Sequence, residues 1–148
     1  MLHLTLVFLG QTDSGRIPEM AAALAAVAAG RGAYGASTGE AGGRIDDRPG
    51  ARRGGVAWLR LGAGFAETAA LSLAVDDALG SATYDDRHRP RPHLTVARKV
   101  DQAVLDSLSA VAPELHLSWT VDRIVLFRSH TGTGGASYEE LNSFDLGH

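Results

Sequence analysis

Two stretches of the chain repeat one order of side chains, His3-Leu4-Thr5-Leu6 and His93-Leu94-Thr95-Val96. In an extended segment, residues i and i+2 share a face. His3, Thr5 and Val7 then point one way, while Leu4, Leu6 and Phe8 point the other. His93, Thr95 and Ala97 share a face that Leu94 and Val96 oppose. Each copy buries an aliphatic face and presents an imidazole and a hydroxyl on the other. A pseudo-two-fold relation between two halves would turn both polar faces onto one cleft. Two imidazoles and two hydroxyls in one place suit displacement at phosphorus. A neutral imidazole takes a proton from water, and a charged one gives a proton to the departing oxygen. The hydroxyls donate to the non-bridging oxygens. We assign His93 as base and His3 as acid, although the sequence does not fix that order. No carboxylate cluster accompanies the pair, so the pattern calls for neither a metal ion nor any other cofactor.

The tripeptide alone is a loose pattern, since His116-Leu117-Ser118 also fits it. His116 reads as a surface-facing strand residue. The two chosen copies differ from it in context. Each has an aliphatic residue after its threonine and opens a strand that leads into a helix, and Pro92 directly precedes His93. "GASTG" at 35–39 fits a nucleophile elbow, but that turn needs a buried strand before it and a helix after it. It reads instead as a loop or an edge strand. "GTGG" at 132–135 precedes a strand, so no helix dipole backs it, and it reads as a hairpin turn. "RHRPRP", with Arg98 and Lys99 beyond, concentrates positive charge beside the second motif. That run suits steering of a polyanion or a solvated loop equally. Strict alternation turns Arg98 away from His93 unless the strand ends there. Phe8 and Trp58 suit stacking on a base, or, as strand aromatics usually do, a place in the core.

Positioning these residues takes a folded domain, and the composition supports one. The chain has 148 residues, is 45% hydrophobic and 21% charged, carries a net charge of −3 and has no cysteine. One domain is expected, with no overall basic field for duplex binding, no disulfide and no zinc–thiolate site. The apolar run at 20–30 is too short to span a bilayer, so no membrane partner is expected and the chain reads as cytoplasmic. Alternation predicts a strand over 3–9. A helix follows from Asp13 or Ser14 to about Gly30, with Pro18 in its first turn. "AYGASTGEA" is a weak strand, and 42–55 is a loop. A strand over "VAWLRLGA", a helix over 65–80, the "HLTVAR" strand and a helix from Asp101 come next. "LHLSWTV", "RIVLFRSH" and "SYEELNSFDL" read as strands. The pattern is an α+β fold built as a weak duplication, two half-domains each too small to bury a core alone.

"HLTLVFLG" and "RPRPHLTVAR" together resemble the paired signature of the 2H phosphoesterases, closest to the RNA 2′,3′-cyclic phosphodiesterase (2′-5′ RNA ligase-like) family. "GGVAWLRL" resembles that family's middle strand, and residues 121–146, Tyr138 included, resemble its closing hairpin. The resemblance implies a bilobal α+β fold, with antiparallel sheets facing a central cleft and helices outside. It also implies metal- and ATP-independent opening of 2′,3′-cyclic phosphates to 2′-phosphates. The family's motif residues fall on His3, Thr5, His93 and Thr95, and Arg98 is added as a substrate contact. Family members usually carry a strand and a helix ahead of the first motif, which this sequence lacks before His3. The expected partners are RNA ends or nucleotides bearing a cyclic phosphate, met by a monomer. A non-catalytic nucleotide-binding module and a weak 2′-5′ RNA ligase are the alternatives.

Overall fold

A computed structural model describes residues 2–45, 54–132 and 135–147. The elements are α1 (Ile17–Ala29), β1 (Tyr34–Arg44), β2 (Gly55–Leu61), α2 (Phe65–Leu79), β3 (His93–Val100), α3 (Gln102–Val111), β4 (Ser118–Val121), β5 (Arg123–Gly132) and β6 (Gly135–Asp145). A four-stranded antiparallel sheet runs in the order β3-β2-β1-β4, and β5 and β6 pair separately as a hairpin. The α+β class and the antiparallel sheets agree with the sequence. Among the described residues no helix is long and apolar enough to cross a membrane.

Two packing units result, and each draws on both halves of the chain. In the first, α1 and α2 pack together against the β5–β6 hairpin. Met20, Leu24 and Ala28 recur at a four-residue spacing along α1, which puts them on one face. They meet Leu71 and Val75 of α2, Ile124 and Leu126 of β5, and Leu146. The Asp13 carboxylate accepts from the Gly15 N–H at 2.9 Å ahead of α1, and Gly80 ends α2 in the left-handed conformation that glycine adopts at no steric cost. In the second unit, Ala57, Leu59 and Leu61 of β2 and Leu94 and Val100 of β3 are buried, and α3 lies over β1 and β2. The Asp101 side chain caps α3, accepting from the Val104 N–H.

Three expectations change. First, β1 is neither a loop nor an edge strand. It is eleven residues long and lies inside the sheet, between β2 and β4. Its glycines are the reason. A Cβ at Gly42 would run into the Trp58 indole Nε1, and one at Gly43 into Leu105, so neighbouring side chains fill the space these residues leave empty. The loop expected from residue 42 therefore starts after Arg44, and 46–53 lies outside the described residues. Second, residues 3–9 do not form a regular strand. They make one isolated antiparallel bridge, Leu4 to Leu94. Beyond it the consecutive residues Leu6 and Val7 both pack against the α1–α2 core, which period-2 alternation forbids, and Phe8 is 76% exposed rather than in the core. Third, His116 is exposed as expected but lies just ahead of β4 rather than in a strand.

Leu71 is 1% exposed at the centre of the first unit. Leu71→Ala is expected to destabilise the fold by about 2–5 kcal/mol, read as a fall in the chemical denaturation midpoint.

Candidate functional site

Everything in the site follows from register. The Leu4–Leu94 bridge is antiparallel. It therefore sets His3 opposite Thr95 and Thr5 opposite His93, both pairs on the face that Leu4 and Leu94 do not use. Across β3, His93 pairs with Arg60 and Thr95 with Trp58, and Trp58 in turn pairs with Gly42 of β1. Directly opposed residues share a face, so rows of side chains cross the sheet. One row reads Gly42, Trp58, Thr95, His3; the next reads Arg60, His93, Thr5. His3 and His93 are diagonal neighbours, about 7 to 8 Å apart at the backbone. The opposite face of β2 and β3 is the buried one under α3. The four motif residues thus share one half-exposed surface.

Arg98 joins them through an irregularity that alternation alone does not reveal. Thr95 pairs with Trp58, yet Ala97 pairs with the next residue along β2, Ala57, which leaves Val96 as an extra residue. Such a bulge shifts the phase of the strand. Ala97 then falls on the buried face and Arg98, opposite Val56, returns to the face of His93 and Thr95. The obstacle set by strict alternation is removed by one inserted residue.

His93 is held locally. Pro90 and Pro92 are buried on either side of exposed Arg91. A residue before proline is restricted to extended backbone, which fixes the direction of its carbonyl. The Arg91 carbonyl lies 2.8 Å from His93 Nδ1. A carbonyl only accepts, so Nδ1 carries a proton and donates, and in the neutral ring Nε2 keeps its lone pair for the site. The ring also lies 5.6 Å from the Trp58 ring, tilted by 52°.

His3 is held from further away. Its ring meets Tyr138 of β6 edge-on, centroids 5.1 Å apart, and Tyr138 meets Phe127 of β5 at 6.1 Å. The segment that carries His3 is tied a second time. The Tyr84 hydroxyl donates to the Leu6 carbonyl. Tyr84 is placed by buried Asp76, whose carboxylate accepts from the Ser81 hydroxyl and from the Thr83 and Tyr84 N–H groups. Burial raises the Asp76 carboxyl, but these donors outweigh it and hold it below the usual carboxylate range. Burial also pushes the Tyr84 phenol up, with the nearby Asp76 charge adding to it. Sequence reasoning missed Asp76, Tyr84 and Arg60. No motif marks them: Tyr84 acts through Leu6, far from it in sequence, Arg60 through its pairing with His93, and Asp76 through the loop that carries Tyr84.

The remaining candidates lie elsewhere. His116 borders a cavity of about 550 Å³ with Thr38, Glu40 and Ser109, on the α3 side of the sheet. Ser37, the serine of "GASTG", sits in β1, where its hydroxyl accepts from the Ala63 N–H. No strand-turn-helix elbow forms there. Among the described residues no three His, Cys, Asp or Glu side chains gather to hold a metal ion.

Comparison with known proteins gives the same outline. The 2′-5′ RNA ligase superfamily profile matches residues 1–133. No curated protein matches in sequence. Among solved structures, E. coli LigT complexed with 3′-AMP is similar at TM-score 0.74 and 22% identity, over 98% of this chain and 76% of that one. A protein of Thermus thermophilus, TT0787, is similar at TM-score 0.69 and 23% identity, over 98% of this chain and 78% of that one. A crystal structure described as a phosphoesterase is similar at TM-score 0.70 and 20% identity, over 99% and 78%. At these identities the likeness is one of fold.

The Asp76 latch has a pH signature. A carboxyl depressed in the folded state contributes stability that is fully present above the unfolded pKa of about 3.9 and is lost as pH falls through the lower folded value. Asp76→Asn is expected to lower the thermal midpoint at neutral pH. The gap to wild type should narrow as the solution is acidified below about pH 4, read by thermal melts across pH.

Proposed function

The chain belongs to the 2′-5′ RNA ligase superfamily, and within it we propose that the protein hydrolyses nucleoside and RNA 2′,3′-cyclic phosphates to 2′-phosphomonoesters without metal or ATP. The observation that carries the reading is the bridge register, which groups His3, Thr5, His93 and Thr95 on one face. His93 Nε2 takes a proton from a water molecule while the water oxygen attacks phosphorus. The bond from phosphorus to the ribose 3′ oxygen breaks, and His3 delivers a proton to that oxygen. The order is supported by the Arg91 carbonyl, which leaves His93 with an unprotonated Nε2 whenever the ring is neutral. Thr5 and Thr95 donate to the non-bridging oxygens as charge builds on them. His93 ends protonated and His3 neutral, and exchange with solvent restores both.

The solved relatives are consistent with a nucleotide ligand. E. coli LigT has been crystallised with 3′-AMP, phosphate, ATP and NADP+. A ligase reading differs only in the nucleophile, with an RNA 5′ hydroxyl attacking phosphorus in place of water and the same bond to the 3′ oxygen breaking. We favour hydrolysis because the half-exposed face admits water at any RNA concentration.

Two outcomes test this. Turnover of a 2′,3′-cyclic mononucleotide is expected to persist in excess EDTA and without ATP. Full loss that a divalent ion restores would sink the two-histidine mechanism. In the same assay, His3→Ala and His93→Ala should each cost about 10² to 10⁴-fold in kcat, roughly 3 to 5 kcal/mol, and the double variant little more. The wild-type rate should be bell-shaped in pH, because acid and base must be oppositely protonated. Thr5→Ala and Thr95→Ala should cost less, and His116→Ala nothing. A silent His3→Ala alongside an active wild type would take His3 out of the mechanism.

A further inference from the structure

A third row of side chains crosses the site face. Val56 of β2 pairs with Arg44 on β1 and with Arg98 on β3. Arg44 and Arg98 therefore share the face of Trp58 and His93. The row lies two residues along β2 from Trp58, about 7 Å, and its two cations flank Val56 roughly 10 Å apart, one strand spacing on each side. Both arginines are exposed, and among the described residues no carboxylate pairs with either. Two backbone irregularities flank Arg98, and the first sets its face. Val96 is inserted ahead of it, and Lys99 after it takes a left-handed φ of 60°, unusual for a residue with a side chain. Gly54 allows this, since a Cβ there would run into the Lys99 backbone. Without the shift at Val96, Arg98 would point toward the buried side. Two like charges on one open row repel each other, and no carboxylate among the described residues offsets them, an arrangement that suits an anionic ligand.

Resting on the reading of the site given above, we propose that Arg44 and Arg98 form a second phosphate subsite, and that the preferred substrate is an oligonucleotide end rather than a cyclic mononucleotide. The terminal cyclic phosphate meets the two histidines. The terminal base stacks on Trp58, whose indole occupies the space over Gly42. The strand then continues toward β1, and the phosphate on the 5′ side of the terminal nucleoside meets Arg44 and Arg98. Arginine suits the role, because its planar fork binds phosphate oxygens in pairs.

The test compares a dinucleotide ending in a 2′,3′-cyclic phosphate with the matching cyclic mononucleotide. Wild type is expected to favour the dinucleotide about tenfold in kcat/KM, the size of one charge-assisted contact in partial solvent. Arg44→Ala should bring that ratio close to one and leave mononucleotide turnover within about twofold, and Arg44→Glu should invert the preference. Arg123→Ala, at an exposed ion pair on the hairpin, should change neither substrate. A wild-type ratio near one, or an Arg44→Ala loss equal for both substrates, overturns the proposal. The same ratio is read in equilibrium binding of the 2′-phosphate products, by titration calorimetry. If the wild type turns over neither substrate, the hydrolytic reading fails, and the binding ratio alone decides the second subsite.

Discussion

One backbone contact, the antiparallel bridge from Leu4 to Leu94, sets the whole site. It is a single pairing on the outer edge of β3, yet it decides which side chain of the first motif stands beside which of the second. Strand pairing is unforgiving here, because a slip of one residue moves every side chain to the other face. A slip would put Leu4 among the polar groups and turn His3 and Thr5 toward the buried side. The bridge is short because the segment has two tasks. Its first residues must lie along β3, and Leu6, Val7 and Leu9 must reach the α1–α2 core. The Tyr84 hydroxyl holds the chain where it turns from one task to the other.

The two histidines are fixed by different means, and the difference follows from their places in the chain. His93 takes its orientation from two residues upstream, where Pro92 restricts the backbone and the Arg91 carbonyl accepts its Nδ1 proton. That arrangement is nearly complete in the local sequence. His3 rests on Tyr138 and, behind it, Phe127, both from the far end of the chain. His93 thus carries its own support, while His3 borrows support from the closing hairpin. Disturbing β5 or β6 would alter the setting of His3 without touching that of His93.

Much of this was legible in the sequence where local physics decides. Alternation located β2 and β3, the Asp13 and Asp101 caps marked helix starts, and Gly80 marked a helix stop. The paired motif pointed to the residues that the bridge brings together. What was not legible depends on partners. β1 looks weak because a glycine-rich strand has poor propensity on its own. It becomes an inner strand once the Trp58 indole and Leu105 lie over Gly42 and Gly43. The face of Arg98 turns on one extra residue at Val96, and a bulge leaves no mark in a hydrophobic pattern. Segment 3–9 alternates well enough to read as a strand, but the competing core ends its pairing after one bridge. The Asp76 latch ties one short stretch, residues 76–84, to Leu6 near the start of the sequence, a link that no spacing rule predicts.

The interleaving of the two units has a consequence for how the molecule comes together. The first unit buries α1, from the early chain, against β5 and β6, from its last part. The second unit, by contrast, has β1, β2, β3 and α3 in hand once residue 111 exists. Contacts between distant residues form late, since long loops must close before they are rewarded. As the chain is made from its first residue onward, strands β1 to β3 can assemble while α1 and α2 still wait for the hairpin. His93 and its proline frame are then ready early. His3 meets the Tyr138 ring only when the final strands arrive, so a chain stopped short of β6 orients one motif histidine before the other.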